Sequence, residues 1–379
     1  MRGLVNFVRD LYQTDGFIPL HEPRFCGNEK KYLLNCIDST FVSSVGEFVD
    51  LFEDEVAKYT GAKYAIATSN GTSALHASLI LADISINDEV ITQSLTFVAT
   101  SNAIRYCNAI PVFLDVDKDT LGLSPISLQT FLDDNTKVID GKCINIHTDR
   151  IVKACVPMHT FGHPCRIDKI KEICEKHHIT VIEDSAESLG SFYKNKHTGV
   201  YGDMGVLSFN GNKIITTGGG GMILTNNKES AIRAKHITTT AKVPHRWAFE
   251  HDTVGYNYRL PNLNAALGLA QIELLPEFLE SKRRLALQYQ EWGEDNGITF
   301  LKEPENCKSN YWLNGLIAFD SSKRDEILDY TNNRKVMTRP LWLPMHMLPM
   351  NRDFYRDTMT NTEWLYNRVV NIPSSVIGK

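Results

Sequence analysis

Short apolar stretches alternate with helical patterns between residues 63 and 225, and this alternation constrains the fold more than any other feature. The stretches predicted as strands are 63–68, 89–92, 110–115, 151–157, 180–183, 206–209 and 222–225. The segments predicted as helices among them are 72–82, 97–105 and 167–177. Successive strand–helix–strand units place their strands parallel and their ligand-binding groups at the carboxyl ends of the strands. The sequence therefore predicts an α/β fold with a mostly parallel sheet flanked by helices.

Two long helical patterns, 262–275 and 276–292, follow the alternating region, and short strands and helices are mixed after them. This change of pattern predicts a smaller C-terminal α+β domain packed on the first. We divide the chain into an N-terminal extension (1–16), a large α/β domain (17–262) and a small domain (263–379). The polar stretch 135–150 is predicted to be a surface excursion.

Charge and hydropathy exclude several kinds of partner. The 379 residues carry 40 basic and 45 acidic side chains, a net charge of -5, which argues against a nucleic-acid binder and favours small-molecule ligands. We find neither a secretory signal at the N-terminus nor an apolar stretch near the roughly 20 residues that a membrane span needs. We expect a cytoplasmic protein without a membrane partner, whose eight scattered cysteines are reduced and buried.

A lysine lies between a hydroxyl-bearing turn and a run of four glycines in the stretch 208–221. Lys213 is flanked by apolar side chains, and a lysine in a tight, partly desolvated setting has the lowered pKa that a nucleophilic amine needs. The alternative is a surface lysine in a glycine-rich hairpin. The stretch thus predicts a covalent cofactor site if the rest of the chain supplies its other parts.

Two further motifs supply those parts. Asp184 ends an apolar strand, where a side chain points into the ligand-binding crevice of an α/β sheet. Asn70, Gly71, Thr72 and Ser73 lie between a strand and a helix, and the free N–H groups of such a turn suit a phosphate, although an ordinary helix cap is the simpler interpretation. An amine, a carboxylate for a ring nitrogen and a phosphate cradle are together what pyridoxal 5'-phosphate needs.

The chain also resembles the DegT/DnrJ/EryC1/StrS family of pyridoxal phosphate-dependent nucleotide-sugar aminotransferases, from about residue 17 to the end. The segments that carry the likeness, nearest to the LegC-type branch, are 19–25, 41–46, 95–100 and 371–375. The resemblance implies a type I aminotransferase fold and a homodimer with shared active sites.

The resemblance assigns roles to matching residues. Lys213 would bind the cofactor covalently and Asp184 would pair with its ring nitrogen. Phe97 would stack on the ring, and Thr72, with Gly71, and Ser208 would hold the phosphate. Asn257 would reach the phosphate of the neighbouring subunit.

Two positions depart from the family pattern. Many relatives have glutamine where this chain has Glu187, near the cofactor's phenolic oxygen. Two negative groups there repel each other unless one holds a proton, so we expect a raised pKa or a modified role for Glu187. Relatives also often place glutamate within the glycine run 218–221, which has none here.

The reaction that the resemblance implies is transfer of an amino group from L-glutamate to C4 of a nucleotide-linked 4-keto-6-deoxy sugar. The LegC-type likeness indicates UDP-4-keto-6-deoxy-N-acetylglucosamine and a surface glycan of the legionaminic-acid or bacillosamine type. The alternatives are a perosamine-type synthase acting on GDP-4-keto-6-deoxymannose, a sugar dehydratase, and a non-catalytic cofactor-binding regulator. A phosphatase or kinase is disfavoured because no Gly-Lys-Ser or Gly-Lys-Thr follows the glycines.

Substrate contacts are predicted at four further positions. His159 and His163 follow a strand and are expected to line the sugar site. Arg339 and His346 lie in a segment that resembles the family's C-terminal approach to the active site, where Arg339 would pair with the pyrophosphate. No metal site is expected, since the two early histidines and Cys165 lie in a turn without a defined ligand geometry.

Overall fold

The computed structural model describes residues 1–377 and has an α/β architecture with a second, smaller lobe. The helices are α1 (Arg2–Tyr12), α2 (Glu29–Asp38), α3 (Glu47–Thr60), α4 (Gly71–Leu81), α5 (Val98–Tyr106), α6 (Pro125–Asn135), α7 (Ile167–Lys176), α8 (Lys228–Thr238), α9 (Asn262–Glu273), α10 (Leu275–Asn296), α11 (Ser321–Asn332) and α12 (Thr360–Tyr366). The strands are β1 (Tyr64–Thr68), β2 (Glu89–Gln93), β3 (Ile110–Leu114), β4 (Thr136–Ile139), β5 (Lys142–Asn145), β6 (Val152–Val156), β7 (Thr180–Asp184), β8 (Phe192–Tyr193), β9 (Lys196–His197), β10 (Met204–Ser208), β11 (Gly221–Thr225), β12 (Thr299–Phe300), β13 (Cys307–Lys308), β14 (Asn314–Ile317), β15 (Arg339–Pro340) and β16 (Val369–Ile372).

The central sheet of the large lobe has seven strands in the order β1-β11-β10-β7-β6-β2-β3. The pairs from β10 through β3 are parallel, whereas β11 runs antiparallel to both of its neighbours, β1 and β10. These strands are apolar over most of their length and almost completely buried, as expected for a sheet covered by helices on both faces. The predicted α/β class with a mostly parallel sheet is confirmed.

Local chemistry explains where several helices begin and end. Asn70, Ser124 and Asn227 are the N-caps of α4, α6 and α8, and each side chain accepts a hydrogen bond from a first-turn N–H group. Helix α3 ends at Gly61, whose φ of 76° lies in the left-handed region that glycine adopts most readily.

The small lobe is built on the antiparallel sheet β12-β14-β16-β15. Its core includes residues from α10 and the apolar face of α1, so the predicted extension 1–16 packs into this lobe. Helix α9 packs on α2 and α3, and its Ala265 and Leu269 belong to the same hydrophobic core as Phe52 of the large lobe. The predicted domain boundary at residue 262 thus assigns α9 to the small domain, although α9 packs in the hydrophobic core of the large lobe.

The structure shows where the predicted surface excursion and the cysteines lie. The stretch 135–150 lies mostly at the surface and contains the hairpin of β4 and β5. All eight cysteines are free thiols, five of them buried, while Cys26 is exposed. None of the helices described for residues 1–377 is long and apolar enough to cross a membrane.

Candidate active site

A cavity of about 300 Å³ lies where β7, β10 and the first turn of α4 meet. The lining residues that the sequence predicted for the cofactor site are Gly71, Thr72, Phe97, Asp184, Glu187, Ser208 and Lys213. The cavity also has lining residues that the sequence did not predict, among them Met158, Asn210, Asn212, Trp312 and Trp342. The three motifs that are distant in the sequence therefore meet around one space.

Lys213 holds its amine inside this cavity, with 13% of its side chain exposed. Its Nζ donates to Glu187 Oε1 at 3.2 Å and lies 4.0 Å from the centroid of the Trp312 ring. The backbone of the turn is tight, since Lys213 N donates to Asn210 O. These contacts fit an amine placed for reaction rather than a surface lysine.

Glu187 is buried, with 1% of its side chain exposed. Its Oε2 accepts the N–H of Phe161 at 2.9 Å, and burial raises the pKa of the carboxyl to about 7 despite the nearby Lys213. This is the direction expected for Glu187 from the sequence. The carboxyl group consequently titrates close to neutral pH.

Asp184 is the last residue of β7 and is fixed on both carboxyl oxygens. Thr100 Oγ1 donates to Oδ2 at 2.6 Å, and Ala186 N donates to Oδ1 at 3.1 Å. Burial raises the pKa of Asp184, while the Thr100 hydrogen bond opposes the shift. Thr100 was not predicted as a site residue, although it lies one turn after Phe97 in the segment 95–100.

The turn before α4 presents a helix N-terminus to the cavity. The Asn70 side chain accepts a hydrogen bond from Ser73 N at 2.8 Å. Gly71 and Thr72 line the cavity at the start of the helix. Their backbone N–H groups belong to the first turn and so have no carbonyl partner within the helix. Gly71 lies so close to Ser208 that an added Cβ would come within 2.9 Å of its Cβ. Ser73, predicted as a phosphate contact, caps the helix and lies outside the described lining.

The two histidines predicted for the sugar site are fully buried away from the cavity. His159 Nε2 lies 3.0 Å from Glu183 Oε2, and its Nδ1 accepts from Cys165 N. His163 packs edge-on against Tyr311, and burial lowers its pKa to about 4. The sequence shows that each histidine follows a strand. It does not show that other segments of the same chain bury both side chains.

The predicted C-terminal contacts also lie outside the lining. Arg339 is exposed and donates to Asn332 Oδ1 and Thr338 O, while His346 Nδ1 lies 2.7 Å from Ser94 Oγ. Trp342, between these two positions, is the residue of this segment that lines the cavity. Trp342, and neither Arg339 nor His346, thus brings this segment to the cavity.

Asn257 is exposed and is not among the described residues that line the cavity. It lies next to Tyr256 and Tyr258, which stack on each other, and pairs with Thr239 in an isolated bridge. The structure therefore places Asn257 at the surface of the chain.

The lining fits pyridoxal phosphate by its chemistry. It offers an enclosed amine, a carboxylate at a strand end, a helix N-terminus beside a serine hydroxyl, and the aromatic ring of Phe97. Gly71 packs so closely on Ser208 that a larger residue would collide with it, and this brings the helix N-terminus and the serine hydroxyl side by side. The lining thus offers a partner for the aldehyde, the ring nitrogen, the ring face and the phosphate of the cofactor.

Comparison with known proteins gives one family. The model of the DegT/DnrJ/EryC1/StrS aminotransferase family matches residues 25–377. A GDP-perosamine synthase of Escherichia coli O157:H7 is 37% identical over 94% of this chain and 93% of that protein. A GDP-perosamine synthase of Caulobacter vibrioides is 37% identical over 88% and 86%, respectively.

The fold comparison agrees. Helicobacter pylori PseC, an aminotransferase involved in the biosynthesis of pseudoaminic acid, superposes with a TM-score of 0.85 at 25% identity, over 94% of this chain and 93% of its own. The chain belongs to the DegT/DnrJ/EryC1/StrS aminotransferase family. It is a pyridoxal phosphate-dependent sugar aminotransferase.

Proposed function

We propose that this member of the family transfers an amino group from L-glutamate to C4 of a nucleotide-linked 4-keto-6-deoxy sugar. The observation that carries the proposal is the amine of Lys213, which the cavity encloses between Glu187 and the Trp312 ring. One amine of this kind serves as a covalent anchor and then as the group that moves the proton in both half-reactions.

Bound pyridoxal phosphate supplies an aldehyde for covalent attachment and a protonated ring that withdraws electrons. Lys213 Nζ would hold the cofactor covalently and, once released, would give and take the proton. Asp184, held by Thr100 and Ala186, would keep the ring nitrogen protonated. Ser208 and the first turn of α4 would bind the phosphate.

The proposed sugar substrate is UDP-4-keto-6-deoxy-N-acetylglucosamine, which would give the 4-amino-4,6-dideoxy product for a surface glycan of the legionaminic-acid or bacillosamine type. Its support is the LegC-type likeness of the segments 19–25 and 41–46. GDP-4-keto-6-deoxymannose is the second candidate, and the 37% identity to GDP-perosamine synthases favours it. In either case Trp342 is the lining residue of the C-terminal segment available to contact the sugar.

We further propose a homodimer in which Asn257 completes the partner's phosphate site. Its exposure in the single subunit supports this role. The lining of the described cavity holds two acidic side chains, Asp184 and Glu187, and the amine of Lys213. A dianionic phosphate therefore gains from donors that a second subunit brings.

The experiment follows the cofactor first and the sugar second. The purified protein should be yellow with the cofactor, become covalently labelled at Lys213 after borohydride reduction, and lose that label in Lys213→Ala. L-Glutamate should then convert the bound cofactor to its aminated form. A protein that remains colourless with added cofactor would contradict the proposal.

Offering UDP- and GDP-linked 4-keto-6-deoxy sugars, with and without the 2-acetamido group, separates the two substrates. Turnover of the acetamido sugar alone supports the first candidate. Turnover of the GDP-linked sugar alone replaces it with the second.

A further inference from the structure

Two carboxyl groups share the cavity with one amine. Of the described residues that line it, those with titratable side chains are Asp184, Glu187 and Lys213. Whenever the amine of Lys213 is neutral, two enclosed carboxylates would share the cavity with no positively charged side chain among the described lining residues. Like charges in a buried site favour the state in which one group holds a proton.

The hydrogen bonds distinguish the two carboxyl groups. Both oxygens of Asp184 accept a hydrogen bond, from Thr100 and Ala186, and these donors stabilise the ionised form. Glu187 accepts one backbone N–H on Oε2, and its Oε1 faces Lys213 Nζ at 3.2 Å. Glu187 is therefore the carboxyl group with an oxygen placed to receive a proton from the amine.

The backbone around Glu187 holds that orientation. Phe161, which donates its N–H to Oε2, has a φ of 57°, a left-handed conformation that non-glycine residues seldom adopt. Asn310 Nδ2 donates to the carbonyl of Glu187 at 2.8 Å. With one carboxyl oxygen and the main chain fixed, the remaining oxygen keeps its position towards Lys213.

We propose that Glu187 exchanges a proton with Lys213, so that the two residues act as one proton-sharing pair. An N–H bond of Nζ breaks and an O–H bond forms on Oε1, which leaves a neutral amine and a neutral carboxylic acid. The proton returns when Nζ has to be protonated, and no electrons are gained or lost. The proposal rests on the proposed covalent role of Lys213 and deepens it.

The pKa of Glu187 lies near the pH at which the exchange would operate. Burial raises the pKa of Glu187 to about 7, the charge of Lys213 lowers it, and the charge of Asp184 raises it. A carboxyl group that titrates near neutral pH can both accept and return a proton under ordinary conditions.

The test uses Glu187→Gln in the full chain. Glutamine keeps the size of the side chain and can accept the Phe161 N–H, but it cannot carry the proton. Infrared difference spectra of the cofactor-free protein, recorded as the pH is raised, follow protonated carboxyl groups directly. We expect a signal in the wild type that disappears with a midpoint near pH 7 and is missing in Glu187→Gln.

The coupling to Lys213 has two reciprocal signatures. In Lys213→Ala the carboxyl midpoint should move to higher pH, because the positive neighbour that favours ionisation is gone. In Glu187→Gln acetic anhydride should label Lys213 faster at a fixed pH, because Nζ no longer donates to a carboxylate. Glu187→Asp retains a carboxyl group, but one farther from Nζ. It should keep the infrared carboxyl signal, and adding Lys213→Ala should move its midpoint less than in the wild type.

A wild type without the carboxyl signal would overturn the proposal, as would a signal that persists in Glu187→Gln or a midpoint that ignores Lys213→Ala. Borohydride labelling separates this failure from that of the proposed function. If Lys213 is labelled by the cofactor but the carboxyl titration is missing, the proton-sharing pair alone is wrong. If Lys213 is never labelled, the covalent function fails whatever the infrared spectra show.

Discussion

The Nζ of Lys213 lies 4.0 Å from the centroid of the Trp312 ring, and the indole Nε1 donates to the carbonyl of Asn212 at 2.6 Å. Trp312 is thus hydrogen-bonded to the backbone of Asn212, and its ring lies against the amine of the next residue, Lys213. Trp312 N also donates to Asn310 Oδ1. One side chain of the small lobe therefore both fixes the turn that carries the amine and places a ring face against it.

Trp312→Ala should weaken retention of the cofactor on Lys213 more than Trp312→Phe, because phenylalanine keeps a ring face beneath the amine. The ring–cation contact contributes about 0.5–2 kcal/mol. Loss of the buried tryptophan in Trp312→Ala should also lower the free energy of unfolding by about 3–5 kcal/mol. Cofactor absorbance after dialysis and denaturant unfolding measure the two effects. Equal cofactor loss in both variants would argue against a role for the ring face.

Thr100→Val should raise the pKa of Asp184 further, because it removes the hydroxyl that donates to Oδ2 at 2.6 Å. A buried acceptor without its donor costs about 1–3 kcal/mol. We expect weaker cofactor binding, measured by absorbance titration, and a larger loss as the pH falls. Thr100→Ser keeps the hydroxyl and is the matched control. Unchanged binding in Thr100→Val would mean that Ala186 N alone is enough to hold Asp184.

Gly71→Ala should weaken cofactor binding, since its Cβ would lie 2.9 Å from the Cβ of Ser208. Overpacking of this kind costs about 1–3 kcal/mol and displaces the two walls of the phosphate site. Gly211→Ala is the control, because a Cβ there meets nothing within 4 Å. The affinity for inorganic phosphate and for the cofactor, measured by calorimetry, should fall in Gly71→Ala alone.

Glu187→Gln should stabilise the cofactor-free protein in a pH-dependent way. The pKa of this carboxyl rises from 4.5 to about 7 on folding, so between these values the folded chain holds a proton that the unfolded chain has released. Stability therefore falls as the pH rises through this window, by about 3 kcal/mol in total. Glutamine does not titrate, so Glu187→Gln does not lose this stability. The difference in thermal unfolding between the variant and the wild type should therefore grow between pH 4.5 and 7 and then stay constant. An advantage independent of pH would contradict the shift.

His159→Ala should reduce stability by about 1–3 kcal/mol, because Glu183 loses a partner inside the protein. The His159 side chain and three backbone N–H groups hold the pKa of Glu183 below its usual value against the effect of burial. Its stabilisation is present above pH 4.5 and is lost as the pH falls through the lowered pKa. Acid unfolding of the variant should thus begin at higher pH.

His236→Ala is the matched control for that experiment. His236 Nε2 also lies near a carboxylate, Asp252 Oδ1 at 2.6 Å, but this pair is near the surface. Surface pairs contribute about 0–1 kcal/mol. Similar acid unfolding in the two variants would show that enclosure of the His159–Glu183 pair has no special effect.

The sequence predicted the parts of the site that follow from strand direction. Asp184 ends an apolar strand and Gly71 lies in the turn that follows another, and the carboxyl ends of such strands meet at one edge of a sheet. Lys213 was found from its glycine-rich surroundings. The resemblance added Phe97 and Ser208, which also line the cavity.

Long-range packing accounts for what the sequence did not predict. An apolar run has no direction, so β11 could not be identified as antiparallel before its pairing with β1 and β10 was known. Trp312 comes from the small lobe and carries no motif. His159 has the chemistry of a site residue, but its contact with Glu183 assigns it to the interior.

Helix α1 has a consequence for the order in which the protein forms. Its Leu4, Val5 and Val8 pack with Leu285 and Val336, which the ribosome adds far later. During synthesis the apolar face of this helix therefore stays exposed until the small lobe has left the ribosome. Contacts so distant in sequence form slowly, and a chain arrested before its small lobe exposes a surface that chaperones and proteases recognise.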